Sequence, residues 1–290
     1  MSESDQSKVP PLPYLNPEFL KGTEARVIRI LAEYIEPAMR LRRHRVRDTI
    51  VFFGSARSMA PEVAAAQLVS IEDEIKQAAE AGEVSADLEA RLARAEQATK
   101  LARYYNDAME LARRVTEWSK SLTGHHHFIV CSGGSNGMME AANRGASIAR
   151  GQTIGLNIEL PHEQDVNKYV SRELIFNFHY FFMRKFWFVY PAKALVVFPG
   201  GFGTMDELFE VLTLIQTKKP HKQMPVVLFG KEFWDDIIDF DALVRWGVVS
   251  PDDLDIFHKT DSVNDAFQYL KSRLEWLYLT PKGLDQVKLT

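Results

Sequence analysis

The stretch ALVVFPGGFGTMDELFEVLTLIQ, residues 194–216, decides how the chain folds. It starts with an apolar run of strand length, passes through a glycine-rich turn, and continues with apolar residues at helical spacing. A buried strand that leads through such a turn into a helix is the repeating unit of a parallel sheet. The stretch therefore predicts a βα unit with its turn at the carboxyl edge of a sheet.

Short apolar segments of the same kind recur between helical patterns. They are TIVFFGSARS (49–58), HFIVCS (127–132), TIGLNIEL (153–160), MPVVLFG (224–230) and DIFHKT (255–260). Alternation of short strands with helices is typical of a parallel sheet that helices cover on both faces. The sequence therefore predicts an α/β protein.

We divide the chain into an N-terminal tail and helix, residues 1–47, and one α/β domain, residues 48–290. Within the domain, residues 61–120 are rich in Ala, Glu and Arg and predict a helical insertion of two long helices. We interpret the first of these as an arm rather than a core helix. The N-terminal helix is an extension with Val27, Ile30, Leu31 and Ile35 on one face and a basic end.

Composition argues against several classes of protein. The formal net charge is -4, so no basic field attracts nucleic acid, and no apolar run approaches the length of a membrane span. No secretory signal is visible, and the single cysteine, Cys131, excludes an intrachain disulfide, so we expect a cytoplasmic protein. We interpret the run His125 to His127 as a surface turn and expect no metal and no cofactor.

Three predicted strands end in turns of small residues: Gly54-Ser55, residues 133–137 and residues 200–204. Right-handed crossovers bring such turns to one edge of the sheet, which predicts a nucleotide-sized pocket. The second turn, GGSNG, is either a tight packing turn or a cradle of backbone N–H groups for a phosphate or ribose. It does not match G-x-G-x-x-G, although Glu159 at the end of the next strand keeps an NAD-binding alternative open.

Two interpretations also remain for Thr204 and Glu207. Their T-x-x-E spacing predicts a capping box, in which the acid is structural, and a buried stripe follows at Met205, Leu208, Phe209, Leu212 and Ile215. A simple cap does not require three glycines before it, so the turn favours a binding site. In the aromatic segment FHYFFMRKFWF, 178–188, we expect a partly buried helix in which Arg184 either reaches water or points into the pocket, and whose aromatics could also form a dimer face.

At these residues the chain resembles the LOG family, whose members are often labelled lysine decarboxylases. The resemblance rests on SGGSNGMMEAANRGA (132–146), on FFMRK (181–185) and on the motif P-G-G-x-G-T-x-x-E, which Pro199 to Glu207 match in full; it covers roughly residues 48–275. The N-terminal helix and the insertion are similar to those of larger bacterial members. Plant-type members have a glycine at the position of Glu140.

The resemblance implies a Rossmann-like fold, a homodimer or higher homo-oligomer, and hydrolysis of the N-glycosidic bond of nucleoside 5'-monophosphates, either AMP or cytokinin riboside 5'-monophosphates. Arg184 and Glu207 become the catalytic pair. The implied substrate contacts, with the neighbouring turn residues, are Ser55, Gly133, Gly134, Glu163, Lys185, Gly200, Gly201, Phe202, Gly203, Thr204, Asp206 and Thr213.

A carboxylate beside the ribose would stabilise the positive charge that develops as the C1'–N bond breaks, as in glycoside hydrolysis. No lysine in a pyridoxal phosphate setting can be argued, so the decarboxylase label does not follow from the residues. The alternative is a non-catalytic carrier of a nucleotide or of molybdenum cofactor on the same fold.

Overall fold

The centre of the molecule is a seven-stranded sheet. The computed structural model describes residues 10–123, 127–160, 166–217 and 223–281. The strands are β1 (Asp48–Phe53), β2 (Phe128–Ser132), β3 (Thr153–Ile158), β4 (Ile175–Phe178), β5 (Ala192–Val197), β6 (Val226–Phe229) and β7 (Phe257–Thr260). Their order is β4-β3-β2-β1-β5-β6-β7, and every neighbouring pair is parallel.

Helices lie on both faces of this sheet. They are α1 (Pro17–Lys21), α2 (Arg26–Arg43), α3 (Pro61–Ala81), α4 (Ala86–Ser121), α5 (Met138–Ile148), α6 (Phe181–Val189), α7 (Phe202–Gln216), α8 (Lys231–Ile237), α9 (Phe240–Arg245) and α10 (Val263–Leu274). One core contains side chains of α6 and α7, and the core on the opposite face contains side chains of α4, α5 and α10. The predicted α/β, Rossmann-like class is confirmed.

The central strands are apolar because both of their faces are covered. Residues 50–53 of β1 and all four residues of β6 are buried and apolar, which matches the continuous apolar runs of parallel strands. Register places Phe53 of β1 beside Val197 of β5, so these two strands end together.

The order of the strands creates a switch point between β1 and β5. From β1 the chain moves outward through β2 and β3 to β4, and then returns to form β5 on the other side of β1. The loops that leave β1 and β5 therefore lead in opposite directions. A crevice at the carboxyl ends of such strands is where α/β proteins bind ligands.

The predicted insertion consists of the two long helices α3 and α4, but only its first part is an arm. Ile71 of α3 packs with Leu88 and Ala95 of α4 in a small cluster separate from the two sheet cores. The second half of α4, from Ala102 to Ser119, is instead buried against the sheet and forms part of its core. That half of the helix is integral to the domain.

The aromatic segment 178–188 forms the predicted partly buried helix, α6, which begins at Phe181. Two other features were not predicted. Strand β4 ends at Phe178, directly before this helix, and its Phe176 and Phe178 are buried in the core while Asn177 between them is exposed. The helical pattern after β6 is divided into α8 and α9, since the side chain of Asp239 accepts a hydrogen bond from the N–H of Ala242 and starts a new helix. In the described residues, no helix has the length and apolar character needed to cross a membrane.

Candidate active site

A cleft of about 960 Å³ opens at the carboxyl edge of the sheet, above β1 and β5. This volume suits a small-molecule ligand of nucleotide size. The residues of the three small-residue turns that line it are Gly54, Ser55, Gly133, Gly200, Gly201, Phe202, Gly203 and Thr204. The structure thus brings together turns that lie far apart in the sequence.

Hydrogen bonds join the three turns. The N–H of Ser55 donates to the carbonyl of Pro199 at 2.9 Å, and the carbonyl of Ser55 accepts from the N–H of Met138 at 3.0 Å. Gly137 has a φ of +72°, and a Cβ there would overlap the backbone of Ser55 and Ala56. Glycine at this position therefore allows the second turn to approach the first, and the floor of the cleft is one connected unit.

The helix that follows the third turn begins earlier than the capping box predicts, and that prediction is wrong. α7 starts at Phe202 with Gly201 as its N-cap, and no side chain caps it. Thr204 is consequently the third helical residue, and its side chain packs against Gly200, where a Cβ would lie 2.6 Å from that of Thr204. The helix begins earlier than predicted because Gly201, rather than Thr204, has the extended backbone of an N-cap residue.

The start of α7 faces the cleft with its backbone donors. The first N–H of the helix with an intrahelical acceptor is that of Met205, which donates to Gly201 at 3.0 Å. The N–H groups of Phe202, Gly203 and Thr204 precede it, where a helix supplies no partner and its dipole is positive. This end of the cleft therefore suits an anion such as a phosphate.

Glu207 lies one turn further along α7 and is the buried acid of the cleft. Its exposed fraction is 7%, and within the described part of the chain its Oε2 atom has no hydrogen-bond partner. Burial raises the pKa of this carboxyl to about 7, although the charges of Lys185 and Arg184 oppose the rise. A carboxyl group with a pKa near neutrality can exchange a proton during a reaction.

Arg184 enters the cleft from α6. Its Nε donates to the carbonyl of Leu156 at 2.8 Å, and its guanidinium lies 5.1 Å from the ring centre of Phe188. A Cβ on Gly133 would lie 2.6 Å from Nη2 of Arg184, so the absence of a side chain there makes room for the guanidinium. Burial lowers the pKa of Arg184 and the Glu207 carboxylate raises it, which shows that the two groups interact electrostatically.

Several expected substrate contacts lie elsewhere. Lys185 is ion-paired with two acids of α7, at 2.7 Å to Asp206 and 3.0 Å to Glu210, and is not among the residues that line the cleft, whereas Asp206 is. Thr213 is exposed and follows Thr204 by roughly 13 Å of helix.

Two more of the expected contacts need a separate comment. Gly134 has a φ of +75° and packs closely against Gly155 of β3, so glycine has a structural role at this position. Contact of Gly134 with a substrate stays a prediction. Glu163 lies outside the described residues.

A network of buried polar side chains forms hydrogen bonds to the GGSNG turn. Asn167 donates from Nδ2 to the carbonyls of Gly134 and Ser135 at 3.0 and 2.9 Å, and also to Oδ1 of Asn143 at 2.9 Å. The N–H of Gly134 donates to Ser132 Oγ at 3.1 Å. These bonds hold the turn in place, and Gly133 is the glycine of this turn that lines the cleft.

Three other residues singled out in the sequence lie away from the cleft. Glu159 is exposed, contacts His179 at 3.3 Å and is not among the residues that line the cleft. Glu140 accepts a hydrogen bond at 3.1 Å from Tyr105 of α4, whose pKa burial raises to about 12. Cys131 is buried, and burial raises the pKa of its thiol, as a packing role predicts.

The histidine run can be described only in part, because His125 and His126 lie outside the described residues. Within the described ranges, no three His, Cys, Asp or Glu side chains are grouped as a metal site would require.

The structure adds residues that sequence reasoning missed. Arg57 lines the cleft on the loop after β1, where its exposed side chain lies beyond the Gly54-Ser55 turn. Its position directly after a glycine turn at a strand end was an available signal. Leu101 of α4 also lines the cleft, together with Phe233, Ile237 and Ile238 of α8 and the segment that follows it. No sequence pattern shows that the insertion reaches this edge.

The fold and the cleft define an α/β protein with a ligand site at the switch point of its sheet. Comparison with known proteins is more specific. The family model described as "Possible lysine decarboxylase" matches residues 139–270. A probable cytokinin riboside 5'-monophosphate phosphoribohydrolase, LOGL5 of Oryza sativa subsp. japonica, is 29% identical over 195 residues, which cover 66% of this chain and 73% of the rice protein. These two matches confirm the resemblance to the LOG family.

Solved structures are similar at lower identity. The molybdenum cofactor carrier protein of Chlamydomonas reinhardtii is 19% identical with a TM-score of 0.41, over 79% of this chain and 99% of that one. The molybdenum cofactor binding protein of the phototrophic bacterium Rippkaea orientalis is 20% identical with a TM-score of 0.41, over 59% of this chain and 87% of that one.

Proposed function

We propose that the protein hydrolyses the N-glycosidic bond of nucleoside 5'-monophosphates and releases the free base and ribose 5-phosphate. The observation that carries this proposal is the buried carboxyl of Glu207, which lines the cleft close to the start of α7 and has one oxygen without a hydrogen-bond partner among the described residues. The match to a plant protein named as a probable phosphoribohydrolase supports the same reaction class. AMP and cytokinin riboside 5'-monophosphates are the substrates we propose.

In this proposal the 5'-phosphate binds at the N-terminus of α7, against the N–H groups of residues 202–204, and stays intact. Arg57 supplies positive charge from the loop after β1, since it lines the same cleft. The turn PGGFGT, residues 199–204, lacks the lysine of a phosphate-transferring loop, and the proposed reaction needs none because no phosphoryl group is transferred. The phosphate serves as the anchor that positions the ribose.

The chemical step uses Glu207 on the ribose. As the C1'–N bond breaks, its electron pair leaves with the base, which takes up a proton from solvent, and positive charge develops on the sugar. The Glu207 carboxylate stabilises that charge and accepts a proton from the water whose oxygen bonds to C1'. Arg184 holds the phosphate or ribose, and the positive charges of Lys185 and Arg184 oppose the rise that burial causes in the pKa of Glu207.

A carrier function uses the same cleft differently. A carrier must bind and release its cargo, and that task does not require a buried carboxyl with a raised pKa beside the ligand. Burying an unpaired carboxyl costs free energy, which enzymes commonly accept at catalytic positions. Cys131 has a buried, unreactive thiol, which fits the reducing cytoplasm where we place the reaction.

The test is incubation of the protein with AMP, with other nucleoside monophosphates and with isopentenyladenosine monophosphate, followed by detection of free base and ribose 5-phosphate. Glu207→Gln is the key variant, and Glu210→Gln is its matched control on the same helix, since Glu210 pairs with Lys185 outside the cleft lining. We expect Glu207→Gln to lose roughly 10²- to 10⁴-fold in turnover and the control to lose little. Nucleotide binding without release of base by the wild-type protein would instead support a carrier.

A further inference from the structure

Helix α6 sends two neighbouring basic side chains in different directions. Arg184 and Lys185 are consecutive, so their side chains leave the helix roughly 100° apart. The described residues that line the cleft include Arg184 but not Lys185. The side chain of Lys185 is only 20% exposed and lies against α7, with Nζ at 2.7 Å from Asp206 Oδ2 and 3.0 Å from Glu210 Oε2. The two basic residues therefore have different partners.

The partners of Lys185 on α7 lie on either side of Glu207 in the sequence. Asp206 and Glu210 are four residues apart, so they share one side of the helix. Glu207 directly follows Asp206 and lines the cleft. Each end of the pair between Lys185 and Asp206 is thus the sequence neighbour of a proposed catalytic residue, Arg184 or Glu207. This ion pair connects the backbone segments that carry those two residues.

The ion pairs add direction to a contact that is otherwise apolar. Phe188 of α6 and Leu208 and Val211 of α7 are buried in the same core. Apolar burial is non-directional, so it holds the helices together without fixing how α7 is turned about its axis. One ammonium group that pairs with acids on successive turns of α7 does fix that orientation. The start of α7, where we place the phosphate, is fixed with it.

Lys185 also affects the charge around Glu207. In the described part of the chain, the charged groups beside Glu207 or lining the same cleft are Arg184, Lys185, Asp206, Glu210 and Arg57. Burial is the main cause of the raised pKa of Glu207 and the two acids of α7 add to the rise, whereas Lys185 and Arg184 oppose it. Without Lys185, the two acids would lie unneutralised on the helix that carries Glu207.

We infer that Lys185 is a positioning residue, which joins α6 to α7 and fixes Glu207 relative to Arg184 without touching the substrate. This inference rests on the proposed function, because it concerns the reaction that we assign to Glu207. The family resemblance implies instead that Lys185 contacts the substrate. For that contact, Lys185 would have to leave two acids that lie within 3.0 Å and enter a cleft that it does not line.

Lys185→Met separates these two roles, because it removes the charge and keeps the apolar stem. Glu207 acts as a carboxylate, so the rate should rise with pH through its pKa. We expect the acid limb of the kcat profile to move up by about one pH unit, and kcat at pH 7 to fall about tenfold. KM for AMP should stay within about twofold, since no substrate contact is lost. A raised KM with an unmoved acid limb would assign Lys185 to substrate binding and overturn the inference.

Two further variants serve as controls for Lys185→Met. Lys185→Arg keeps a positive charge that can pair with both acids, so the acid limb should stay at its wild-type position. Lys259→Met breaks a lysine–aspartate pair with Asp235, and neither of these residues lines the cleft. This variant should leave kcat, KM and the acid limb unchanged. An acid limb that moves equally in Lys185→Met and Lys259→Met would overturn the inference.

Removal of the two acids should have the opposite effect on pH dependence. Asp206→Asn combined with Glu210→Gln leaves the charge of Lys185 unneutralised beside Glu207. We expect the acid limb to move down by about one pH unit. A bridge with a purely structural role does not produce shifts of opposite sign. The double variant also provides the test if Lys185→Met does not fold, and an acid limb that moves up or stays in place would overturn the inference.

Carbon NMR of protein with labelled glutamate carboxyl groups follows Glu207 without any need for activity. Its resonance is the one that Glu207→Gln lacks. The titration should move to higher pH in Lys185→Met and to lower pH in the variant that lacks both acids. A wild-type protein that releases no base would end the proposed function, and this titration would then decide alone whether Lys185 controls Glu207. An unchanged titration would overturn the inference even in an active enzyme.

Discussion

The Cβ that Gly133 lacks would lie 2.6 Å from Nη2 of Arg184. The second glycine turn therefore contributes to the candidate active site by leaving space for the Arg184 guanidinium, rather than by donating a hydrogen bond. The guanidinium passes over this glycine on its way from α6 into the cleft, and its Nε is held by the carbonyl of Leu156. The position of the Arg184 guanidinium therefore depends on Gly133, which follows strand β2.

We therefore expect Gly133→Ala to reduce nucleosidase activity while the protein still folds. The new methyl group would displace the end of the Arg184 side chain, and a displacement of about 1 Å at a reacting group can lower the rate about 100-fold. The fold should be retained, because the displaced atoms belong to the flexible ends of Arg184 and Met139. The measurement is kcat/KM for AMP together with the melting temperature.

The double variant Gly133→Ala with Met139→Ala separates two causes of the loss. The methyl group would also crowd the side chain of Met139, and the second substitution removes that crowding. If activity stays low in the double variant, the displaced arginine is responsible. Full activity of Gly133→Ala alone would show that the position of the guanidinium does not limit the reaction.

Sequence reasoning predicted the sheet and the convergence of the three turns, because both follow from the local pattern of apolar strands and small residues. It did not predict features that depend on contacts between segments far apart in the sequence. The T-x-x-E spacing of Thr204 and Glu207 satisfies a capping rule, yet Gly201 starts the helix three residues earlier. β4 was not predicted, since this short strand directly before the aromatic segment is defined by its pairing with β3, which no local pattern reveals. Leu101 reaches the cleft from an insertion, which only the packing of α4 shows.

Two adjacent glycines of the third turn should respond oppositely to alanine. A Cβ on Gly200 would overlap the buried Thr204 side chain, so Gly200→Ala should destabilise the protein by about 1–3 kcal/mol, measured by urea unfolding. A Cβ on Gly201 meets no atom within 4 Å, so Gly201→Ala should fold normally. Gly201 lines the cleft at the start of α7, so an added methyl group would reduce the space for the phosphate proposed there, and KM for AMP should rise about tenfold. Equal behaviour of the two variants would contradict this assignment of the turn.

Arg57→Ala should weaken nucleotide binding without a change in stability. The side chain is exposed and lines the cleft, so its removal leaves no buried group unpaired and should not lower the melting temperature. We expect KM for AMP to rise roughly tenfold, since a charge-assisted hydrogen bond contributes about 1.5–3 kcal/mol when fully formed. Arg94→Ala, at an exposed arginine of α4, is the matched control. An unchanged KM would remove Arg57 from the proposed phosphate site.

The raised pKa of Glu207 also predicts how stability depends on pH. Below pH 4.5 this carboxyl is protonated in both the folded and the unfolded chain. Between pH 4.5 and about 7 the unfolded chain releases the proton while the folded chain retains it, so the free energy of unfolding falls as pH rises through this window. The loss from this one group is on the order of 3 kcal/mol and is complete above pH 7.

Glu207→Gln removes this titration and keeps the size of the side chain. We therefore expect the variant to melt several degrees above the wild-type protein at pH 8, and the two to melt together near pH 4. Glu210→Gln should show no such gain at pH 8, because Glu210 forms an ion pair with Lys185 that the substitution would remove. A variant that is both inactive and more stable at pH 8 would show that the folded protein accepts an unfavourable buried charge for catalysis. Identical melting temperatures of Glu207→Gln and the wild-type protein at both pH values would contradict the raised pKa.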